Sequence, residues 1–318
     1  MSTRAGARPP AGAAAEASDE AGAGWLSHRE RGTLFAIRAV FGLARWLGRR
    51  PLRPLVALIA LWYRLVDRKV VAASRDWLTR VHGRPPGFWD IVRHIRAFTQ
   101  VTLDRVFLLS GRTRGLRFTR AGDELLRAQM ATGRGAVLLG AHVGSWEAMR
   151  VTSAEDRVPI QILGYFENAR MINALLERLN PGQAERVIHL GHDPVGVMAR
   201  VRARLEAGEF VALHGDRVGL NDRVVSARFF GEPASFAAGP FLLAAVLRCP
   251  VYMSFGLYHA PDRYDLVCEP FAERIELPRR DREGALAEVV QRYADRLEQV
   301  CRRAPDNWFN FYDFWSRP

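Results

Sequence analysis

The chain has 318 residues and contains few cysteines, one lysine and no long uncharged apolar run. Its three cysteines, Cys249, Cys268 and Cys301, are far apart and form no Cys-x-x-Cys pair, which argues against a disulfide framework or a cysteine-based zinc site and fits a reducing cytosol. No apolar stretch reaches the roughly 20 residues of a transmembrane helix without a charge. Zinc-finger, helix-turn-helix and basic–aromatic sheet motifs are also missing, so nucleic acid is not an expected partner.

The basic residues are almost all of one kind. Lys69 is the single lysine among 46 basic side chains, the rest are arginines, and 34 acidic side chains leave a net charge of +12. An arginine excess is typical of GC-rich genomes. The positive sign nevertheless favours anionic lipid surfaces and acidic protein partners.

The N-terminal part of the sequence changes character near Trp25. Residues 1–24 are rich in Ala, Gly, Ser and Pro, which predicts a disordered tail, and they contain no apolar region of a signal peptide. Two short apolar stretches follow at 34–47 and 55–63, each with a tryptophan and flanking arginines. Such segments are typical of an interfacial anchor in one leaflet, with a pair of ordinary core helices as the alternative. We therefore expect residues 25–66 to form membrane-associating helices.

Residues 67–318 are expected to form one α/β domain. Helical periodicity dominates 67–120, and from about residue 134 short apolar runs alternate with amphipathic segments. This rhythm predicts a mostly parallel sheet flanked by helices. The predicted strands are 136–140, 159–163, 186–190, 210–214, 250–258 and 264–268, of which the last two pair. The predicted helices are 169–179, 194–206, 237–247 and 286–300.

Two of these strands end in polar clusters, His142 to Glu147 and His214 to Arg217. Ligands bind at the carboxyl ends of strands in open α/β sheets. A glycine turn and a helix capped by Ser145 would let His142 and Glu147 converge. A carboxylate against one imidazole nitrogen fixes the tautomer and makes the other nitrogen a better base. No Gly-x-Ser-x-Gly elbow accompanies the pair, so the hydroxyl that His142 deprotonates is expected on the substrate. A structural histidine is the alternative.

Other polar residues are candidates for binding substrate. Arg217 follows a strand end, where a guanidinium can hold a phosphate through charged hydrogen bonds. Asn168 and Arg170 open the helix after the second strand, although Asn168 would equally serve as an N-cap. The predicted substrate-binding residues are Ser145, Asn168, Arg170, Asp216, Arg217, Arg228 and Ser235.

The ordered motifs of the chain resemble the lysophospholipid acyltransferase superfamily, and most closely its lipid A late acyltransferase branch. Residues 140–147 are similar to the His-x4-Asp/Glu motif of that superfamily, and Asp216-Arg217 is similar to its Asp-Gln or Asp-Arg block. Residues 229–240 resemble a Phe-Phe-Gly-x-Pro-Ala-Thr block. The ending 307–315 resembles the tail of a subgroup associated with aryl polyene-type gene clusters. The resemblance covers roughly residues 25–318.

The resemblance implies a glycerolipid acyltransferase-like fold and an acyltransferase. The enzyme would move an acyl group from a thioester donor, usually acyl carrier protein, to a hydroxyl of a lipid or polyketide-like acceptor, without a cofactor or a metal. His142 would be the general base and Glu147 would orient it. The chain would lie on the cytoplasmic face of the cell inner membrane as a peripheral or monotopic protein. Arg217 stands where lipid A enzymes usually have Gln, which concerns the acceptor more than the chemistry.

Two other functions compete with this one. His189 and His192, with His214 and Asp216, allow a metal-dependent phosphoester hydrolase, which bound metal in the purified protein would identify. A catalytically idle membrane-surface adaptor is the third interpretation. The aromatic side chains from 308 to 315 fit an acyl channel, a membrane contact or closure of the core beneath the last helix.

Overall fold

The computed structural model describes residues 42–44, 46–155, 158–164, 186–190, 193–219 and 222–315. The predicted tail 1–24, most of the apolar stretch 34–47 and the predicted helix 169–179 lie outside the described residues. The fold of the remaining chain is built from three helices, an alternation of strands and helices, and a long final helix.

The elements are numbered in chain order. The helices are α1 (Arg53–Val66), α2 (Arg68–His82), α3 (Phe88–Leu109), α4 (Asp123–Ala131), α5 (Trp146–Glu155), α6 (Pro194–Glu206), α7 (Gly239–Leu247) and α8 (Arg282–Arg303). The strands are β1 (Arg117–Ala121), β2 (Val137–Gly140), β3 (Ile160–Gly164), β4 (Val187–His189), β5 (Phe210–His214), β6 (Val224–Phe229), β7 (Glu232–Ala237), β8 (Val251–His259) and β9 (Arg263–Ala272). A short 3₁₀ turn, Pro305–Asn307, follows α8.

Seven of the described strands form one sheet in the order β1-β9-β8-β2-β5-β3-β4. Neighbouring strands of the described sheet are parallel except for β8 and β9, which are antiparallel. The predicted α/β fold with a mostly parallel sheet flanked by helices is therefore confirmed, and so is the pairing of 250–258 with 264–268. Strands β6 and β7 form a separate antiparallel hairpin.

The strands that are buried on both faces were predicted from the sequence, and the mostly exposed strand β1 was missed. Strand β2 is buried along its whole length and β5 nearly so, and strands covered on both faces appear in a sequence as continuous apolar runs. Strand β1 is mostly exposed at the edge of the sheet and carries Arg and Thr. Its sequence has no such run, so the prediction of mostly helical structure up to residue 120 was wrong for β1. The hairpin β6–β7 was also not predicted.

One face of helix α1 packs against α3. Leu52 and Val56 are buried against Leu103, Val106 and Phe107 of α3. Among the described residues, no helix combines the length and apolar character that crossing a bilayer requires.

The C-terminal aromatic side chains mostly close the core. Trp308 is 1% exposed and packs against Trp77, with 4.5 Å between ring centroids, and against Phe229 and Phe314. Phe314 is also buried. Of the three interpretations of this segment, closure of the core is the one that the packing supports.

Candidate active site

A histidine and an aspartate meet at the carboxyl end of the central strands. His142 Nδ1 lies 2.8 Å from Asp216 Oδ1, and the backbone N–H of His142 donates to Asp216 Oδ2 at 3.0 Å. Asp216 is fully buried, whereas the His142 side chain is 29% exposed. His142 Nε2 has no hydrogen-bond partner in the described part of the chain. One imidazole nitrogen is therefore fixed by a carboxylate and the other can meet a ligand.

Sheet register explains why residues 74 positions apart meet here. Strands β2 and β5 are parallel neighbours, with Gly140 opposite His214. His142 and Asp216 each follow the strand end by two residues, so both side chains leave the sheet at the same level. The sequence indicated that these side chains lie at one edge of the sheet, because both strand ends were recognised as polar clusters.

Among the described residues, Asp216 accepts hydrogen bonds from four donors. Besides the two from His142, Trp308 Nε1 donates to Oδ2 at 3.2 Å and Asn310 Nδ2 donates to the same oxygen at 3.0 Å. A buried carboxylate that accepts this many bonds stays ionised and cannot turn away from the imidazole. Sequence analysis singled out Trp308 only as one of the C-terminal aromatic side chains, and it assigned neither Trp308 nor Asn310 a place beside Asp216.

The loop after β2 depends on a glycine. Gly144 has a φ of +67°, and a Cβ at this position would lie 2.1 Å from the carbonyl oxygen of Gly256. Such a contact is sterically forbidden and the conformation favours glycine. The N–H of Ser145 then donates to the Gly256 carbonyl at 2.7 Å, and the N–H of Phe309 donates to the His142 carbonyl at 2.8 Å. The loop that carries His142 is thus held between β8 and the C-terminal segment.

The expected contact between Glu147 and His142 requires correction. Glu147 lies in the first turn of α5, and its Oε1 is 2.6 Å from Arg105 Nε of α3. Because α5 begins at Trp146, this first turn presents Glu147 to α3, whereas His142 on the preceding loop faces the end of β5. The carboxylate beside the imidazole is that of Asp216.

Three of the predicted substrate-binding residues have hydrogen-bond partners within the protein. Ser145 is 1% exposed and its Oγ accepts from the N–H of Ala148, which confirms the N-cap. Asp216 is buried and engaged with His142. Arg217 donates through Nε to Asn310 Oδ1 at 2.7 Å and through Nη2 to the carbonyl of Phe309 at 3.0 Å. Bonds within the protein hold these three side chains in place, and their contact with a substrate stays a prediction.

The remaining predicted binding residues are dispersed. Arg228 lies on β6 with an exposed side chain, and its backbone exchanges two hydrogen bonds with Gln291 of α8. Ser235 is half-buried on β7, opposite Ser226 of β6. Asn168 and Arg170 lie outside the described residues, so their prediction is not tested.

The electrostatics of the site keep His142 neutral. Burial lowers the pKa of His142 from its ordinary 6.5, and Arg217 lowers it further. Asp216 raises this pKa, but it only partly offsets the two lowering effects. Burial alone would raise the pKa of Asp216, but His142, His214 and Arg217 outweigh it, so the pKa lies below its usual range. His214, whose ring centroid is 4.4 Å from that of His142, has its pKa lowered to about 3 by burial and by His142. A neutral imidazole beside an ionised carboxylate is a competent general base at neutral pH.

A second use of these residues would be metal binding. Among the described residues, His142, His214 and Asp216 form a group with ligand atoms within 4.8 Å of one another. His189 is not part of the group and His192 is outside the described residues, so the four-residue metal site of the alternative phosphoester hydrolase is not tested as a whole. The Nδ1 of His142 and both oxygens of Asp216 already make hydrogen bonds, and a metal ion would have to displace them.

Comparison with known proteins agrees with the motifs. A family model described as bacterial lipid A biosynthesis acyltransferase matches residues 26–317, which is nearly the whole chain. No curated protein sequence gives a significant match.

Proposed function

The chain belongs to the bacterial lipid A biosynthesis acyltransferase family, and from this we propose that it transfers an acyl group from a thioester donor to a hydroxyl of a lipid or polyketide-like acceptor. The observation that carries the mechanism is the His142–Asp216 pair at 2.8 Å, with His142 partly exposed and its Nε2 unengaged in the described part of the chain.

The proposed reaction uses His142 twice. Nε2 accepts the proton of the acceptor hydroxyl while that oxygen attacks the thioester carbonyl carbon, which forms a tetrahedral intermediate. Collapse of the intermediate breaks the carbon–sulfur bond, and the leaving thiolate takes the proton from the imidazolium. Asp216 holds Nδ1–H and stabilises the transient positive charge, which is the orienting role first expected of Glu147.

The proposed donor is acyl carrier protein. This assignment is supported by family membership and by the net charge of +12, which favours an acidic partner. The proposed acceptor class rests on the resemblance of residues 307–315 to the subgroup associated with aryl polyene-type gene clusters.

We also propose that the protein binds the cytoplasmic face of the cell inner membrane as a peripheral protein. Leu58, Trp62 and Leu65 are 63%, 57% and 65% exposed on one face of α1, opposite the face that packs against α3. Trp89 at the start of α3 is 70% exposed. Apolar side chains in such number beside exposed basic residues are typical of an interfacial helix rather than of a fully solvated one.

The membrane proposal is tested by flotation with vesicles that contain anionic phospholipid. Point variants are preferable to deletion of 25–66, because the other face of α1 belongs to the core. The double variant Leu58→Ser/Trp62→Ser should lose most vesicle binding. Val195→Ser removes an apolar side chain on α6 that is 78% exposed, and this variant should float like the wild type. Equal flotation of all three proteins would refute the proposal.

The catalytic proposal is tested by mass spectrometry of products after incubation with acyl carrier protein thioesters and a host lipid extract. The wild type should form a new acylated product, and His142→Ala should not. His259→Ala is the matched control, since His259 is 30% exposed and its Nε2 is 2.9 Å from Asp265. His259→Ala should keep its activity, and retained activity of His142→Ala would contradict the assignment.

A further inference from the structure

Residues 307–310, which we call the closing segment, are bonded along their whole length to the loop that carries His142 and to Asp216 after β5. The Asn307 carbonyl accepts from the N–H of Gly144, and the N–H of Phe309 donates to the carbonyl of His142. The side chains of Trp308 and Asn310 donate to Asp216. The end of the chain, 165 or more residues beyond His142, therefore forms one wall of the site.

Asn310 occupies a special place in this wall. It is 2% exposed, and both ends of its amide are used: Nδ2 donates to Asp216 at 3.0 Å and Oδ1 accepts from Arg217 Nε at 2.7 Å. The amide thus stands between a buried carboxylate and the guanidinium of the next residue in the chain. A direct ion pair between these two groups would be strongly favoured in a buried environment.

We propose that Asn310 is a positioning residue that keeps Arg217 away from Asp216 and so reserves the carboxylate for His142. The inference rests on the proposed function, in which His142 is the base. An amide suits the task because it satisfies an anion with its N–H and a cation with its oxygen without adding a charge. The Tyr312 ring, 5.8 Å from the guanidinium carbon of Arg217, covers the cation from another side.

Removal of the amide should let Arg217 reach Asp216. In the part of the chain that the structure describes, the charged and titratable groups that bear on His142 are Asp216, Arg217 and His214. With Asp216 neutralised by Arg217, His142 loses the group that raises its pKa, so the pKa of His142 should fall further in Asn310→Ala. A side chain that merely fills space would give the opposite sign, since water entering the gap would relieve the burial that lowers this pKa.

The test is NMR titration of His142 in wild type, Asn310→Ala and Asn310→Ala/Arg217→Gln, with kcat and KM for acyl transfer from the same proteins. Asn310→Ala should lower the pKa of His142 and reduce kcat at least about 10-fold, a part of what general-base catalysis supplies, with little change in KM. Arg217→Gln in that background should return the pKa towards the wild-type value. If Asn310→Ala does not fold, Asn310→Ser replaces it in the test, because the serine side chain cannot reach both Asp216 and Arg217.

Asn307→Ala is the matched control. Asn307 is also buried in the closing segment, but its side chain bonds to the backbone N–H and carbonyl of Tyr258 on β8. It should lower the melting temperature and leave the pKa of His142 unchanged. An unchanged or raised pKa in Asn310→Ala, or no reversal by Arg217→Gln, overturns the inference. A wild type that forms no acylated product overturns the proposed function instead, and the titration still decides the role of Asn310.

Discussion

His94 of α3 is fully buried and satisfied in only one tautomer. Its Nε2 lies 2.9 Å from the Trp308 carbonyl, which can only accept, so Nε2 carries the proton. Nδ1 then accepts from the Ser74 hydroxyl at 2.8 Å. Burial lowers the pKa of His94 to about 4, and the residue is neutral in the folded protein near pH 7.

The stability of the protein should therefore fall in mild acid. Between pH 6.5 and 4 the unfolded state binds a proton at His94 that the folded state excludes, so stability present above pH 6.5 is lost as the pH falls towards 4. The loss is on the order of 3 kcal/mol. Urea unfolding at a series of pH values checks this, and His94→Gln should flatten the curve. His214, also neutral when folded, contributes in the same direction and retains part of the slope. Parallel curves for both proteins would contradict the assignment.

At the scale of elements, a buried ion pair joins the N-terminal helices to the sheet. Arg49, in the turn before α1, binds Asp104 of α3 through Nε and Nη2 at 2.7 and 2.8 Å, and its Nη1 donates to the Pro261 carbonyl at 2.8 Å. Gln100 and Tyr264 donate to the same carboxylate. The arginine before α1 thus belongs to a buried network that links the turn, α3 and β9.

This network predicts a non-additive pattern of stability. Arg49→Met should lower the free energy of unfolding by about 3–5 kcal/mol, because it leaves Asp104 charged and buried without its partner. Arg49→Met/Asp104→Leu should lose much less than the two single changes together. Arg127→Met, which breaks the exposed pair with Asp123, should cost under about 1 kcal/mol. Chemical denaturation of the variants measures all of these, and additive losses would contradict the account.

The sequence predicted elements whose buried surface is marked by apolar residues, and it missed the largely exposed strand β1 and the hairpin β6–β7. The apolar runs of β2 and β5 and the amphipathic α8 were visible because one residue class marks each buried surface. For the site, the sequence located His142 and Asp216 at strand ends but joined His142 to Glu147. That choice followed chain proximity, whereas the register of parallel strands decides which side chains meet. The contribution of Asn310 depends on where the closing segment packs after α8, and no local sequence pattern predicts that position.

At the scale of the whole molecule, the charge of +12 predicts how the donor arrives. Association with acyl carrier protein should be fast at low salt and should slow steeply as the ionic strength rises, because screening shortens the range of the attraction. Stopped-flow association rates across a salt series measure this. A rate that does not depend on salt would indicate a donor other than an acidic carrier protein.

The whole account depends on one pair of side chains acting as a unit. The measurement that tests it most directly is kcat for acyl transfer in His142→Ala, Asp216→Asn and the double variant, with thermal melts as the folding control. His142→Ala should lose about 10²- to 10⁴-fold. Asp216→Asn should be slow alone and should add almost nothing once His142 is absent, since Asp216 acts through the imidazole.

Glu147→Gln completes the same series, because Glu147 binds Arg105 and not His142. Its loss in kcat should multiply with that of His142→Ala. In the wild type, kcat/KM should rise with pH through a midpoint below 6.5, where His142 loses its proton. The account would be contradicted if the kcat losses of Asp216→Asn and His142→Ala multiplied, while Glu147→Gln caused no further loss of kcat in the His142→Ala background. That outcome would show that Glu147, and not Asp216, serves the base.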